Sequence, residues 1–176
     1  VQVGTPFAFC QESGITQDIK TKTLEKVMDA SITIFTDPNA SSSGYPFKIL
    51  GVEESLSDEL IYENRPRVCD LGYLRSAYFR QDGSVGFRCP GEPEIDYVKK
   101  GGAIEDTENR KCLCNGLLST VGLPQTRAAA YIEPALVTAG DQILELKEFL
   151  KDGATSYSAR AVIDQILRSK SPETAK

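Results

Sequence analysis

The chain of 176 residues contains no histidine and no tryptophan, and a single methionine. Without imidazole it lacks the commonest general base and the commonest zinc ligand, so any proton abstraction within it falls to a carboxylate, Lys, Tyr or Cys. No run approaches the roughly 18–20 apolar residues of a membrane span, and the N-terminus lacks the charged and apolar regions of a signal peptide. Positive charge is not in excess either. Twenty Lys and Arg stand against 25 Asp and Glu, for a net charge of −5. Because the two signs are interleaved, there is no continuous cationic surface for DNA or RNA. These absences together predict a cytoplasmic protein with neither a nucleic-acid nor a membrane partner.

What is present is ordinary for a globular protein: 40% apolar and 26% charged residues, at a length that buries one substantial core or two small ones. Five cysteines, Cys10, Cys69, Cys89, Cys112 and Cys114, are an odd number too sparse for a disulfide scaffold, and they fit reduced thiols in a cytosol.

The pattern predicts an α/β chain. Val1 to Thr5 reads as a strand, and Thr16 as the N-cap of a helix running to about Asp29 with Ile19, Thr23, Leu24, Val27 and Met28 inward. Ser31 to Thr36 and Phe47 to Val52 read as strands around a Pro-, Ser- and Gly-rich loop, Asp37 to Pro46. Ser57 is expected to cap a short helix to about Asn64. Asp82-Gly83 marks a hairpin between Tyr78–Gln81 and Ser84–Arg88. Helices are expected from Pro93 to about Lys100 and from Glu105 to Val121, and a short strand within Ile132 to Ala139. Asp141 and Ser158 are expected to cap two further helices. The first would bury Ile143, Leu144, Leu146, Phe149 and Leu150, the second Val162, Ile163, Ile166 and Leu167, and the last seven or so residues would fray.

The turn Gln2-Val3-Gly4-Thr5 carries the most specific chemistry. A β-branched strand running into Gly-Thr and then a helix brings backbone N–H groups and a hydroxyl to one point, a geometry suited to phosphate, although many β-to-α turns share it. Extended to Gly14, the segment Gln2-Val3-Gly4-Thr5-Pro6-Phe7-Ala8-Phe9-Cys10-Gln11-Glu12-Ser13-Gly14 resembles the last barrel strand and phosphate loop of the nitronate monooxygenase family, formerly called 2-nitropropane dioxygenases. Asp37–Lys48, Arg65–Arg75, Arg110–Leu118 and Leu136–Asp141 look like blocks from the C-terminal half of a longer branch of that family.

The resemblance implies the C-terminal part of an FMN-binding (β/α)₈ TIM barrel. Residues 1–30 would be its last strand and helix, 31–140 an appended α+β subdomain, and 141–176 C-terminal helices and tail. It also implies that Gln2, Val3, Gly4 and Thr5 bind FMN: Gly4 by close backbone approach, Thr5 through its hydroxyl and N–H, Val3 through main-chain groups and Gln2 through its amide. The implied reaction oxidises an alkyl nitronate with O₂ to a carbonyl compound and nitrite. The remaining barrel strands, a second glycine loop and a catalytic histidine would come from a missing N-terminal portion of the same polypeptide, so this fragment alone is expected to be inactive. No catalytic residue is assigned within it.

Two other functions are open. An FMN-dependent enoyl reductase of fatty-acid or polyketide synthesis carries a similar phosphate loop. Alternatively, Cys69, Cys89, Cys112 and Cys114 suit a Cys₄ metal-stabilised interaction module without catalysis. Against a metal, the usual Cys-x-x-Cys knuckle is absent, and Cys112 and Cys114 on one helix would diverge by about 200°. Small buried core thiols are the plainer expectation, so no metal is assigned. Tyr45 and Lys48 in the serine-rich loop can meet an anionic substrate, but Tyr45 and Phe47 as core anchors are the simpler reading. Arg65, Arg67 and Arg75 near Asp70 read as a solvated ion network more readily than as an anion clamp.

Overall fold

The computed structural model describes residues 3–168. In chain order the elements are α1 (Thr5–Ala8), α2 (Gln17–Met28), β1 (Ile34–Asp37), β2 (Phe47–Leu50), α3 (Glu59–Asn64), β3 (Ser76–Phe79), β4 (Val85–Arg88), α4 (Glu94–Lys99), α5 (Cys114–Thr120), β5 (Thr126–Arg127), β6 (Tyr131–Ile132) and α6 (Ala159–Arg168), with several 3₁₀ turns between them. The architecture is mixed α/β. Its described strands pair as three two-stranded antiparallel sheets, β1–β2, β3–β4 and β5–β6. Contacts divide the described chain into two units, residues 3–33 with 139–168, and Ile34–Thr138.

In the first unit α2 forms where its apolar spacing places it, with Thr16 as N-cap and Asp29 as C-cap. Ile19, Thr23, Leu24 and Val27 are buried, while Met28 stays half exposed. Lys20 is buried too, and its ammonium donates to the carbonyls of Cys10, Gln11 and Ser13 at 3.3, 3.0 and 3.4 Å. A buried cation is tolerable only with such partners, and these fix the loop that follows α1. The expected helix from Asp141 is a 3₁₀ run over Asp141–Phe149, non-helical at Gln142. The tighter winding buries Ile143, Leu146 and Leu150 but leaves Leu144 exposed. In α6 Val162 is buried, whereas Ile163 and Leu167, expected inward, are exposed. The expectation of a frayed tail falls outside the described residues.

The expected N-terminal strand is corrected over Val3 to Thr5. Val3 and Gly4 have no strand partner among the described residues, and Thr5 already begins α1. A strand exists only through a neighbour's backbone hydrogen bonds, and the local sequence carries no information about that neighbour.

The second unit is built on Ile49, Leu56, Tyr62, Leu113 and Leu136, against which Phe47, Ile61, Leu74 and Leu117 pack. β1 and β2 pair with Phe35 opposite Ile49 and Asp37 opposite Phe47. α3 starts one residue later than Ser57 predicts. Asp58 is the cap, accepting from the N–H groups of Leu60 and Ile61, because the Ser57 hydroxyl is engaged with the Val52 carbonyl. The Asp82-Gly83 hairpin forms, with Tyr78 opposite Gly86 and Gly83 at φ +81° in the left-handed position its turn requires.

The single helix expected over Glu105–Val121 does not form. A 3₁₀ turn, Ile104–Thr107, is followed by irregular chain to Leu113, and α5 begins only at Cys114. Thr107 Oγ1 bonds back to the Ile104 carbonyl at 2.6 Å and Asn109 sits at φ +58°, which a right-handed helix excludes. The strand expected within Ile132 to Ala139 is limited to Tyr131–Ile132. The chain after it is fastened to its neighbours instead. Leu50 N–H donates to Val137, Leu56 N–H to Ala135, and Leu136 N–H to Gly116.

Candidate functional site

Of the four residues expected to bind FMN, Gln2 lies outside the described residues. Gly4 is the N-cap of α1, at φ −109°, and a Cβ built on it meets no atom within 4 Å. Nothing in the chain itself therefore requires glycine here; the space beside Gly4 is open. Thr5 Oγ1 accepts from Gly140 N–H at 2.8 Å, so the hydroxyl is held in place with its own proton free to donate. Thr5 and Phe7 contribute first-turn N–H groups that precede any intrahelical acceptor, and Pro6 contributes none. Two amides and one hydroxyl fit a small anion, with Val3 part-buried beside them. The Tyr157 phenol braces this turn by donating to the Pro6 carbonyl at 2.7 Å, and burial pushes its pKa well above the ordinary value.

In the serine-rich loop, Tyr45 is exposed and does not anchor, whereas Phe47 packs on the core. The three arginines do not converge on Asp70. Arg65 is buried and paired with Glu133, and Arg75 donates to the Cys69 carbonyl. The partner of Asp70 is Arg127, which lowers the carboxyl's pKa, helped by Asn115. Sequence reasoning missed Arg127 and Glu133, since nothing in either neighbourhood marks a distant partner.

The structure brings Cys69, Cys89, Cys112 and Cys114 to the walls of one cavity and leaves Cys10 in the other unit. All five thiols are free. Because α5 begins at Cys114, Cys112 lies ahead of the helix and the two thiols are not forced apart by helical geometry. Burial pushes the Cys112 thiol up against the pull of Arg65, and the thiols of Cys69 and Cys114 add to the rise. Burial also raises Cys114, opposed by backbone N–H groups of Leu74 and Tyr73 that face its sulfur. Among the described residues no three His, Cys, Asp or Glu side chains are arranged to hold a metal ion.

No protein-family model, no curated protein and no solved structure matches the chain. Among the described residues no helix is long and apolar enough to cross a membrane.

Proposed function

We propose that this chain is part of a cytoplasmic FMN-dependent nitronate monooxygenase that converts alkyl nitronates and O₂ to carbonyl compounds and nitrite. Residues 1–30 stand in this reading as the last β/α unit of a (β/α)₈ barrel, and the other strands belong to an N-terminal portion of the same polypeptide. The observation that carries it is the turn at Gly4. The resemblance singles out this segment, the space beside its Cα is open, and the amides of Thr5 and Phe7 with the Thr5 hydroxyl supply anion donors there. That placement agrees with the phosphate sites of such barrels, which form after the last two strands.

Bound there, FMN supplies the redox chemistry. The residues of this chain have a positioning role: Gly4 admits the phosphate, Thr5 donates to it, and Gly140 holds the Thr5 hydroxyl in orientation. An alkyl nitronate is already deprotonated at its reacting carbon, so this reading assigns no general base to the chain.

The test is flavin content and turnover of the barrel-bearing polypeptide that includes this chain. About one FMN per chain and nitrite release from an alkyl nitronate are expected. Flavin reduced by a nicotinamide cofactor, with an enoyl thioester as acceptor and no nitrite, would assign the enoyl-reductase reaction instead. A polypeptide purified without flavin that takes up none from solution overturns both.

A further inference from the structure

Three separate stretches of the Ile34–Thr138 unit deliver four thiols to one place, and the flavin reading gives them nothing to do. Cys69 follows α3, Cys89 comes directly after β4, Cys112 precedes α5 and Cys114 is its first residue; all four line one cavity with Leu74 and Leu113. We infer that Cys69, Cys89, Cys112 and Cys114 are the ligands of a single tetrahedral zinc ion. Thiolate sulfur is the ligand that suits zinc, and four of them satisfy its preferred coordination without histidine.

The backbone that carries these thiols is fixed by hydrogen bonds and close packing. Cys112 is held from both sides: its N–H donates to the Tyr62 hydroxyl at 2.9 Å, and its carbonyl accepts from Arg65 at 2.6 Å. Asn115, next to Cys114, is buried and donates to the Val68 carbonyl at 3.0 Å and the Asp70 carboxylate at 2.8 Å. It thereby grips both neighbours of Cys69. Cys89 is brought in by its own turn, since a Cβ at Gly91 would fall 2.5 Å from the Lys111 carbonyl oxygen. Only glycine permits so close an approach of that turn to Cys112. Hydrogen bonds of this kind orient metal ligands from behind.

Of the charged side chains bordering the cavity, Lys111 is paired with Glu59 and Glu92 with Lys100.

The cavity that the four thiols help to line is about 10 Å³, room for about one water-sized sphere, which favours a lone ion over an iron–sulfur cluster. The sulfurs do not converge. Zinc binding therefore requires each thiol to turn about its single side-chain bond onto the ion, with Cys89 Sγ leaving the Ser42 hydroxyl that lies 3.1 Å away.

The experiment is metal analysis of the purified chain by mass spectrometry, after expression in zinc-containing medium. About one zinc per chain is expected, falling at least about tenfold in Cys69→Ser and in Cys112→Ser and unchanged in Cys10→Ser. Should the serine variants fail to fold, Co²⁺ loading of the wild type decides. Intense visible bands of a tetrahedral thiolate site are expected, and a weak octahedral spectrum overturns the proposal. So does a chain that neither carries nor takes up zinc, one that carries iron with sulfide, or zinc that survives in both serine variants. The site stands independently of the flavin: zinc without FMN leaves it intact, and FMN without zinc removes it alone.

Discussion

Arg65 and Glu133, far apart in sequence, form an ion pair with both side chains withdrawn from solvent. The guanidinium also lies over the Tyr62 ring, 4.8 Å from its centroid, and donates to Cys112. Glu133 accepts in addition from the Tyr131 hydroxyl at 2.7 Å. Removing either partner leaves a buried charge uncompensated, which typically costs about 3–5 kcal/mol. Glu133→Gln and Arg65→Met are therefore expected to lower the urea midpoint sharply. A midpoint unchanged in both variants would show the pair to be dispensable.

Tyr131 reports on the same network through its titration. The phenol ordinarily ionises at 10.0 and is pushed up to about 12 here, first by burial and then by its bond to the Glu133 carboxylate. Because the folded value lies above the unfolded one, its contribution to stability is complete below about 10 and is lost as pH rises through about 12. Denaturant midpoints measured across that window should fall less steeply in Tyr131→Phe than in the wild type. Parallel curves would rule the phenol out as the source.

Two glycines should behave oppositely. Gly91→Ala places a methyl against the Lys111 backbone and is expected to cost about 1–3 kcal/mol, because neither segment can yield without moving a cysteine. Gly4→Ala meets open space at a negative φ and should change stability by no more than about 0.5 kcal/mol. Thermal melts of the two variants side by side test the contrast.

Lys20 anchors the loop after α1 through three carbonyls. Lys20→Met keeps the packing volume but strands those acceptors, at a cost of about 1–3 kcal/mol. Faster amide exchange across residues 10–13 is expected with it. Unaltered exchange would mean that the loop is held by other contacts.

Much of the local structure was legible in the sequence. α2 with its Thr16 boundary and the Asp82-Gly83 hairpin follow from periodicity and turn chemistry alone. The failures share a cause: competition that only the folded chain resolves. Ser57 and Asp58 are both good caps, and the Val52 carbonyl decides between them by engaging Ser57. The pattern from Glu105 to Val121 is helical in outline, yet Asn109 takes a left-handed conformation and the thiols of Cys112 and Cys114 are released from one helix. The gathering of four cysteines was not legible, because their spacing says nothing of the close approach at Gly91 or of the grip of Asn115 on the Cys69 loop. The Gly4-Thr5 turn is marked by its residue types, whereas the bond from Gly140 that orients the Thr5 hydroxyl has no local signal.

The claim at the centre of the proposed function is that the Gly4 turn grips a phosphate, and comparing FMN with riboflavin on the barrel-bearing polypeptide isolates that group. A few charge-assisted hydrogen bonds should make FMN bind at least about 100-fold more tightly than riboflavin, equivalent to ~2.7 kcal/mol. Gly4→Val should remove most of that difference while leaving riboflavin binding nearly unchanged. Equal affinities for the two flavins, or a preference for FMN that survives Gly4→Val, would contradict the account.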